Sequence, residues 1–190
     1  MKWKLLREFV KDPRRMGTIA PSSDELAEAM TDQLELSTAE VVAEFGAGSG
    51  AFTARILPRL PPGSLFFAVE RNPVMARHLR RRFPEVHLVE DSVENLPQIL
   101  SRMGRDKIDC IISSLPWAFF EPPVQDRLLT QIVASLPPGG LFVTYAYVHG
   151  AMLPAGIRFR KKLVRRFAFV RRSELVFRNI PPAFVYRCLK

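Results

Sequence analysis

The chain has 190 residues, a length that suits one domain with a full core, and 47% apolar against 25% charged residues excludes general disorder. It has no run of about 20 apolar residues, and its N-terminus is too charged for a secretory signal, so we expect a cytoplasmic protein. The net charge of +9 and the pI of about 10.1 indicate a polyanionic partner, either nucleic acid or an anionic membrane surface.

Residues 1–16 are predicted to carry a basic amphipathic helix, with its helical stripe at 2–11, appended to a single domain that spans residues 1–190. Trp3, Leu6 and Val10 share one helical stripe, lysines and arginines occupy much of the rest, and Pro13 ends the helix. This composition is typical of a helix that lies in a membrane interface. The alternative is a lid or edge helix docked on the domain's own core.

Strands and helices then alternate along the chain. Ser22 and Glu25 form a capping-box pattern at the start of a first helix. We predict strands at 41–45, 65–70, 86–90, 108–113 and 141–148, with helices at 51–60, 73–82, 93–102 and 122–135 between them. Such alternation indicates a parallel sheet covered on both faces. Two further strands, at 174–179 and 183–188, are close enough to form an antiparallel C-terminal hairpin.

A glycine-rich turn follows the first predicted strand and carries the most informative motif of the chain. Glu44 precedes three alternating glycines, Gly46, Gly48 and Gly50, which have no Cβ and allow the loop a tight turn. The spacing differs from the dinucleotide fingerprint, and a carboxylate at this place repels phosphate but attracts an amine. The motif therefore points to S-adenosylmethionine, although an ordinary strand-to-helix turn is the alternative.

Two more acids end the next two predicted strands. Glu70 lies about 20 residues past the glycines, where an acid accepts hydrogen bonds from ribose hydroxyls. Asp91, followed by Ser92, can accept from the adenine amino group. Three acids in series, at 44, 70 and 91, predict one nucleoside site at the carboxyl edge of the sheet.

The fourth predicted strand runs into the tetrapeptide Ser114, Leu115, Pro116 and Trp117. Enzymes that methylate base amines carry Asn or Asp, then Pro-Pro or Leu-Pro, then an aromatic ring at this place. Ser114 matches that pattern only in part, because a hydroxyl lacks the reach of an amide carbonyl. Trp117 either faces a cationic group by cation–π attraction or plugs the mouth of the pocket.

Three polar aromatic side chains end the fifth predicted strand. Strand alternation places Tyr145, Tyr147 and His149 on one face, where any of the three can assist the deprotonation of an amine. The alternative for His149 is an ordinary loop residue whose hydrogen bonds are satisfied. The remaining histidines have no ligand-spaced neighbours, and Cys110 and Cys188 fit reduced packing residues, so no metal site is predicted.

The chain resembles the small, soluble bacterial phospholipid N-methyltransferases, which methylate phosphatidylethanolamine toward phosphatidylcholine. The resemblance rests on four segments that span nearly the whole length: Gly17-Thr-Ile-Ala-Pro-Ser-Ser23, Glu44-Phe-Gly-Ala-Gly-Ser-Gly50, Ser113-Ser-Leu-Pro116 and Arg178-Asn-Ile-Pro-Pro-Ala-Phe-Val-Tyr186. It implies a class I methyltransferase Rossmann-like fold, with a mostly parallel seven-stranded sheet and an antiparallel C-terminal hairpin. The chain is also similar to ribosomal RNA adenine dimethyltransferases.

The resemblance implies methyl transfer from S-adenosyl-L-methionine to a phospholipid head-group amine, at the inner face of the cell membrane. Ser22 and Ser23 would close the cofactor site, while Ser114 to Trp117 and Tyr145 would border the amine. A basic segment at 158–172 with interleaved phenylalanines suits docking to a membrane or to RNA. An RNA or small-amine methyltransferase, or a noncatalytic cofactor-binding module held by its basic surface, are the alternatives.

Overall fold

The computed structural model describes residues 23–32, 34 and 36–190. Seven strands form one sheet: β1 (Val41–Phe45), β2 (Leu65–Val69), β3 (His87–Val89), β4 (Cys110–Ser113), β5 (Leu141–Tyr147), β6 (Phe169–Arg172) and β7 (Ala183–Leu189). The helices of the described residues are α1 (Asp24–Thr31), α2 (Thr53–Ile56), α3 (Pro73–Arg82), α4 (Leu96–Arg102), α5 (Pro122–Ser135), α6 (Val148–Met152) and α7 (Pro154–Arg166). The predicted N-terminal helix lies outside the described residues.

The strand order is β3-β2-β1-β4-β5-β7-β6, and the first five strands along the chain run parallel. The chain crosses the sheet between β3 and β4, so the loops after β1 and β4 face each other at the switch point of the sheet. β7 runs antiparallel to both β5 and β6, which confirms the predicted seven-stranded sheet with an antiparallel C-terminal end.

Helices cover both faces of the sheet, as its buried parallel strands require. On one face, α1 and α2 pack their apolar side chains on β1, β4, β5 and β7, and α3 packs on β2. On the other face, α4, α5 and α7 pack on a core of aliphatic and aromatic side chains. β1 is buried along its whole length, as expected for a central strand of a sheet covered on both faces.

The structure differs from the prediction at the C-terminal hairpin and at the start of α1. The first strand of the hairpin was expected at 174–179, but β6 lies earlier and pairs Phe169 with Leu189, while residues 174–179 form a loop with one isolated bridge. β6 pairs with the C-terminal half of β7, on the edge of β7 that faces away from β5. This edge is where the chain arrives directly after α7. The cap of α1 is also shifted, because Ser23 rather than Ser22 accepts from the amide of Leu26, at 3.1 Å.

Candidate active site

A cavity of about 740 Å³ opens at the carboxyl edge of the sheet, where the loops after β1 to β5 meet. Parallel sheets bind ligands at this edge, because successive loops converge there on one point. Ten of the residues predicted as site residues line the cavity: Gly46, Gly48, Glu70, Asp91, Ser92, Ser114, Leu115, Pro116, Trp117 and Tyr145. Ten of the fourteen predicted site residues thus lie together on the wall of one cavity.

The glycines after β1 have two different structural roles. Gly46 has φ +78°, and a Cβ there would come to 3.2 Å from the Ser114 Oγ, so this glycine lets the loops after β1 and β4 approach each other. Gly50 also has φ +78°, but its missing Cβ makes room for the ring of Phe83, which would lie only 2.4 Å away. Gly50 therefore fits the loop against α3 and does not line the cavity.

Glu70 follows β2 and ties the glycine loop in place. One of its oxygens accepts from the amide of Gly48 at 2.9 Å, and the other accepts from the amide of Asn72 at 2.8 Å. A carboxylate oxygen has more than one lone pair, so both oxygens can still accept a hydrogen bond from a ligand in the cavity. The side chain is thus held in one orientation at the cavity wall.

Asp91 follows β3 on the same wall. Its Oδ1 accepts from the amide of Ser92 and from the side-chain nitrogen of Asn95, both at 2.7 Å, and Arg102 pairs with its Oδ2 at 3.1 Å. The hydrogen bonds from Asn95 and Ser92 lower the pKa of Asp91, with a smaller contribution from Arg102. Asp91 is therefore an oriented, ionised acceptor at neutral pH.

Glu44 lies beneath the cavity rather than on its wall. Its side chain is 0% exposed, its Oε2 accepts from the Thr53 hydroxyl at 2.6 Å, and its Oε1 has no hydrogen-bond partner among the described residues. Burial raises the pKa of Glu44 to about 8, and the charge of Glu70 adds to this. The three predicted carboxylates therefore do not converge: Glu70 and Asp91 reach the cavity, and Glu44 supports the loop from below.

Ser114 connects the loops after β1 and β4. Its hydroxyl lies within hydrogen-bond distance of the backbone carbonyls of Gly46 and Phe45, to which it donates. A hydroxyl on a short side chain suits this position, because the backbone amide of Ser114 already donates to the Phe45 carbonyl at 2.9 Å. Ser114 thus fixes the shape of the cavity at the point where the two loops touch.

Trp117 is a buried part of the cavity wall. It is 2% exposed, its ring stacks on Phe159 with 4.8 Å between ring centroids, and its Nε1 donates to the Ser113 Oγ at 3.3 Å. Of the two roles predicted for this ring, plugging the pocket agrees with this burial. Sequence reasoning missed Gln125, a buried α5 side chain that donates to the Trp117 carbonyl at 2.7 Å and holds the loop in place.

The end of β5 supplies an aromatic wall. The rings of Tyr145 and Tyr147 meet edge to face at 5.4 Å between centroids, and His149 stacks on Tyr147 at 5.7 Å. All three line the cavity, although the strand ends at Tyr147 and His149 belongs to α6. Burial raises the pKa of Tyr147, so its hydroxyl stays protonated at neutral pH.

Of the two serines predicted to close the site, the structure describes only Ser23, which is not on the cavity wall. Ser22 lies outside the described residues. Ser23 caps α1, and its amide donates to the side-chain oxygen of Asn179 at 3.1 Å. Asn179 is buried and precedes β7, so it holds the start of α1 against the loop between β6 and β7. Its role was missed because no sequence pattern connects positions 156 residues apart.

Comparison with known proteins gives the class of the site. A family model described as a methyltransferase domain matches residues 42–140, which hold the glycine loop, both cavity carboxylates and the loop after β4. The ornithine lipid N-methyltransferase of Singulisphaera acidiphila is 32% identical over 186 residues, which cover 96% of this chain and 93% of the relative.

The chain belongs to the S-adenosylmethionine-dependent methyltransferases. The methyltransferase is also similar to the probable ribosomal RNA small subunit methyltransferase A of Methanococcoides burtonii. That match is 26% identical over 95 residues, or 50% of this chain and 33% of the relative.

Solved structures of methyltransferases share the fold. The O-methyltransferase TomG from Streptomyces achromogenes, in complex with SAM, has a TM-score of 0.69 and 20% identity over 88% of this chain and 81% of its own. An O-methyltransferase from Bacillus cereus, in complex with SAH, has a TM-score of 0.68 and 11% identity over 98% of this chain and 89% of its own. These matches confirm the class I methyltransferase fold.

Proposed function

We propose that this methyltransferase transfers methyl groups to the amine of a membrane aminolipid, at the surface of the bilayer. The observation that carries the proposal is the match to the ornithine lipid N-methyltransferase, which extends over nearly the whole of both chains. Phosphatidylethanolamine, the substrate expected from the sequence, and ornithine lipid both present a primary amine on a polar head group. We take this shared amine as the acceptor.

The cavity suits the cofactor. The carboxylates of Glu70 and Asp91 follow adjacent strands and are held by hydrogen bonds on one wall, where they would accept from the ribose and the adenine amine. Gly46 and Gly48 leave backbone open to the cavity beside them, where the methionine part would lie. When bound, S-adenosylmethionine supplies an electrophilic methyl group on a positively charged sulfur.

The aromatic wall suits the amine. An ammonium head group must lose a proton before its nitrogen can attack, and an acceptor for that proton must lie in the cavity. Burial raises the pKa of Tyr147, which makes its hydroxyl a hydrogen-bond donor rather than a base. His149 stacks on Tyr147 at the same wall, and a neutral imidazole has a ring nitrogen that can accept a proton, so we assign the acceptor role to it.

The remaining work of the protein is positioning. The loop from Ser114 to Trp117 is held from both sides, by the contact of Ser114 with the glycine loop and by the hydrogen bond from Gln125. A rigid wall of this kind keeps the two reactants in line and keeps water out. We propose peripheral association with the inner face of the membrane, to which the predicted helix over residues 1–16 would contribute.

RNA is the second candidate substrate, because two ribosomal RNA methyltransferases match 50% and 44% of the chain. Against it, Ser114 stands where base-amine methyltransferases carry Asn or Asp, and it donates to backbone carbonyls instead of facing a base.

The test supplies the full chain with methyl-labelled S-adenosylmethionine and one acceptor at a time: phosphatidylethanolamine vesicles, ornithine lipid vesicles, ribosomal RNA or free ethanolamine. Label should enter at least one of the two lipids and neither RNA nor ethanolamine. His149→Ala should lower the rate, and the loss should shrink as the pH rises, because more of the substrate is then already deprotonated. Label in RNA with none in lipid would contradict the proposal.

A further inference from the structure

The loop between β6 and β7 turns its polar side chain inward and its apolar side chains outward. Asn179 is 4% exposed and accepts from the amide of Ser23, whereas its neighbours Phe177 and Ile180 are each 71% exposed. A backbone bridge between Val176 and Ala183 closes the base of the loop, so its tip has a defined shape. A structured loop that exposes its large apolar side chains is a sign of a binding surface.

The corner between α6 and α7 has the same character. Met152 is 73% exposed, and Leu153 and Ile157 are each 47% exposed. The opposite side of α7 is anchored in the core through Phe159 and Leu163, so the exposure is a property of one face of a fixed helix. This corner is therefore a second apolar surface on a rigid support.

The corner borders the cavity, and the base of the loop lies next to the corner. Tyr147, the last residue of β5, pairs with Ala183, the first residue of β7, and the amide of Val148 donates to the Pro182 carbonyl at 2.9 Å. The corner therefore begins at the end of β5, and the loop ends at the start of β7, which is the adjacent position in the sheet. Because Gly150, Ala151 and Gly156 line the cavity, the corner borders its mouth directly.

Positive charge surrounds both surfaces. Six of the exposed cations are Arg158, Lys161 and Arg165 on α7, and Arg171, Arg172 and Arg178 around the loop. Within the described residues, only Arg178 of these six has an acidic partner in salt-bridge distance, and that pair is exposed. Alternating apolar and cationic side chains match a bilayer interface with anionic lipid, where the apolar groups enter the acyl boundary and the cations meet the head groups.

We propose that the tip of the β6–β7 loop and the α6–α7 corner together form a docking surface for an anionic bilayer. This rests on the proposed lipid substrate, because the surface places the cavity mouth against the membrane from which the substrate enters. Met152, Leu153 and Ile157 insert beside the mouth, and Phe177 and Ile180 insert from the neighbouring loop. The docking surface belongs to the folded domain and is additional to the predicted N-terminal helix.

The test measures partitioning of the full chain onto vesicles of phosphatidylglycerol and phosphatidylcholine. The variant is Phe177→Ser with Ile180→Ser. Each replaced side chain should weaken partitioning by about tenfold, which corresponds to about 1.4 kcal/mol, a reasonable loss for one apolar side chain at an interface. Both positions are exposed, so the midpoint of thermal unfolding should stay within about 2 °C of the parent.

The matched control is Phe169→Ser. Phe169 is 59% exposed but lies beside Leu189, at the opposite edge of the same sheet, so its replacement should leave partitioning unchanged. Equal losses in the control and the double variant, or no loss in the double variant, would overturn the proposal. A wild-type chain that does not bind the vesicles would also overturn it. The same holds for a double variant that binds vesicles like the wild type but binds RNA more weakly, or changes from a dimer to a monomer.

A second assay separates this surface from the proposed function. With a short-chain, monomeric aminolipid in solution, the double variant should methylate at the wild-type rate, whereas on vesicles it should lag. If the wild type methylates the monomeric lipid and all variants bind vesicles equally, the docking surface is wrong and the function stands. If the wild type methylates neither lipid form, the proposed function is wrong, and the docking surface loses its basis.

Discussion

Replacing Glu44 by Gln should change how the stability of the protein depends on pH. Burial raises the pKa of this carboxyl from its ordinary value of 4.5 to about 8. Between these two values the folded chain holds a proton that the unfolded chain has released. The free energy of unfolding should therefore fall as the pH rises through this window, by about 1.4 kcal/mol per pH unit and by roughly 3 to 5 kcal/mol in all.

The variant removes this dependence because an amide does not titrate. At pH 5 it should be less stable than the wild type by about 1 kcal/mol, since an amide nitrogen at the unpartnered Oε1 position of Glu44 gains no acceptor. At pH 9 it should be the more stable of the two, so the stabilities cross between these values.

Urea unfolding of both proteins at each pH unit from 5 to 9 measures the difference. Glu174→Gln, at an exposed carboxylate, is the control for removal of one negative charge and should keep the wild-type slope. If the difference in the free energy of unfolding between wild type and Glu44→Gln stays constant over this range, Glu44 does not hold a proton in the folded chain and the reasoning is wrong.

Two further predictions concern the loop and the cofactor wall. Gly50→Ala should destabilise the protein by about 1 to 3 kcal/mol more than Gly63→Ala in thermal unfolding; both glycines have φ near +80°, but only the Gly50 Cβ would meet Phe83. An equal loss of stability in the two variants would show that Phe83 moves aside without cost and would contradict this prediction. Asp91→Asn should weaken S-adenosylmethionine binding by roughly tenfold in calorimetry, because an amide is a poorer acceptor, while Glu90→Gln outside the cavity should not. Similar affinities for the Asp91 variant and the wild type would remove Asp91 from the cofactor wall.

The fold could be predicted well where the signals are local. α3 begins at Pro73 and α5 at Pro122, as expected, because proline fits the first turn of a helix and the apolar spacing continues from it. The predicted helix at 51–60 is shorter in the structure, since Pro58 lies in the 3-10 turn Leu57–Arg59 that follows α2. β6 was misplaced because both 169–172 and 174–179 suit a strand, and only the register with β7 selects between them.

The site could be predicted as a set of strand ends but not side chain by side chain. Glu70 and Asp91 line the cavity because each follows a strand at the carboxyl edge. Glu44 is the last but one residue of a strand that is buried on both faces, so its sequence position does not show whether the side chain faces the cavity or α2. Gln125 and Asn179 act through contacts with chain segments distant in sequence, which no motif reveals.

The most direct test of the account is the mass of the product lipid. The full chain is incubated with S-adenosylmethionine and vesicles that contain phosphatidylethanolamine and ornithine lipid, and the extracted lipids are fragmented in a mass spectrometer. The account predicts a head-group fragment that is heavier by one or more methyl groups, with unchanged acyl chains, and a strong reduction with Asp91→Asn. Unmodified head groups in both lipids, from a chain that binds the cofactor, would contradict it.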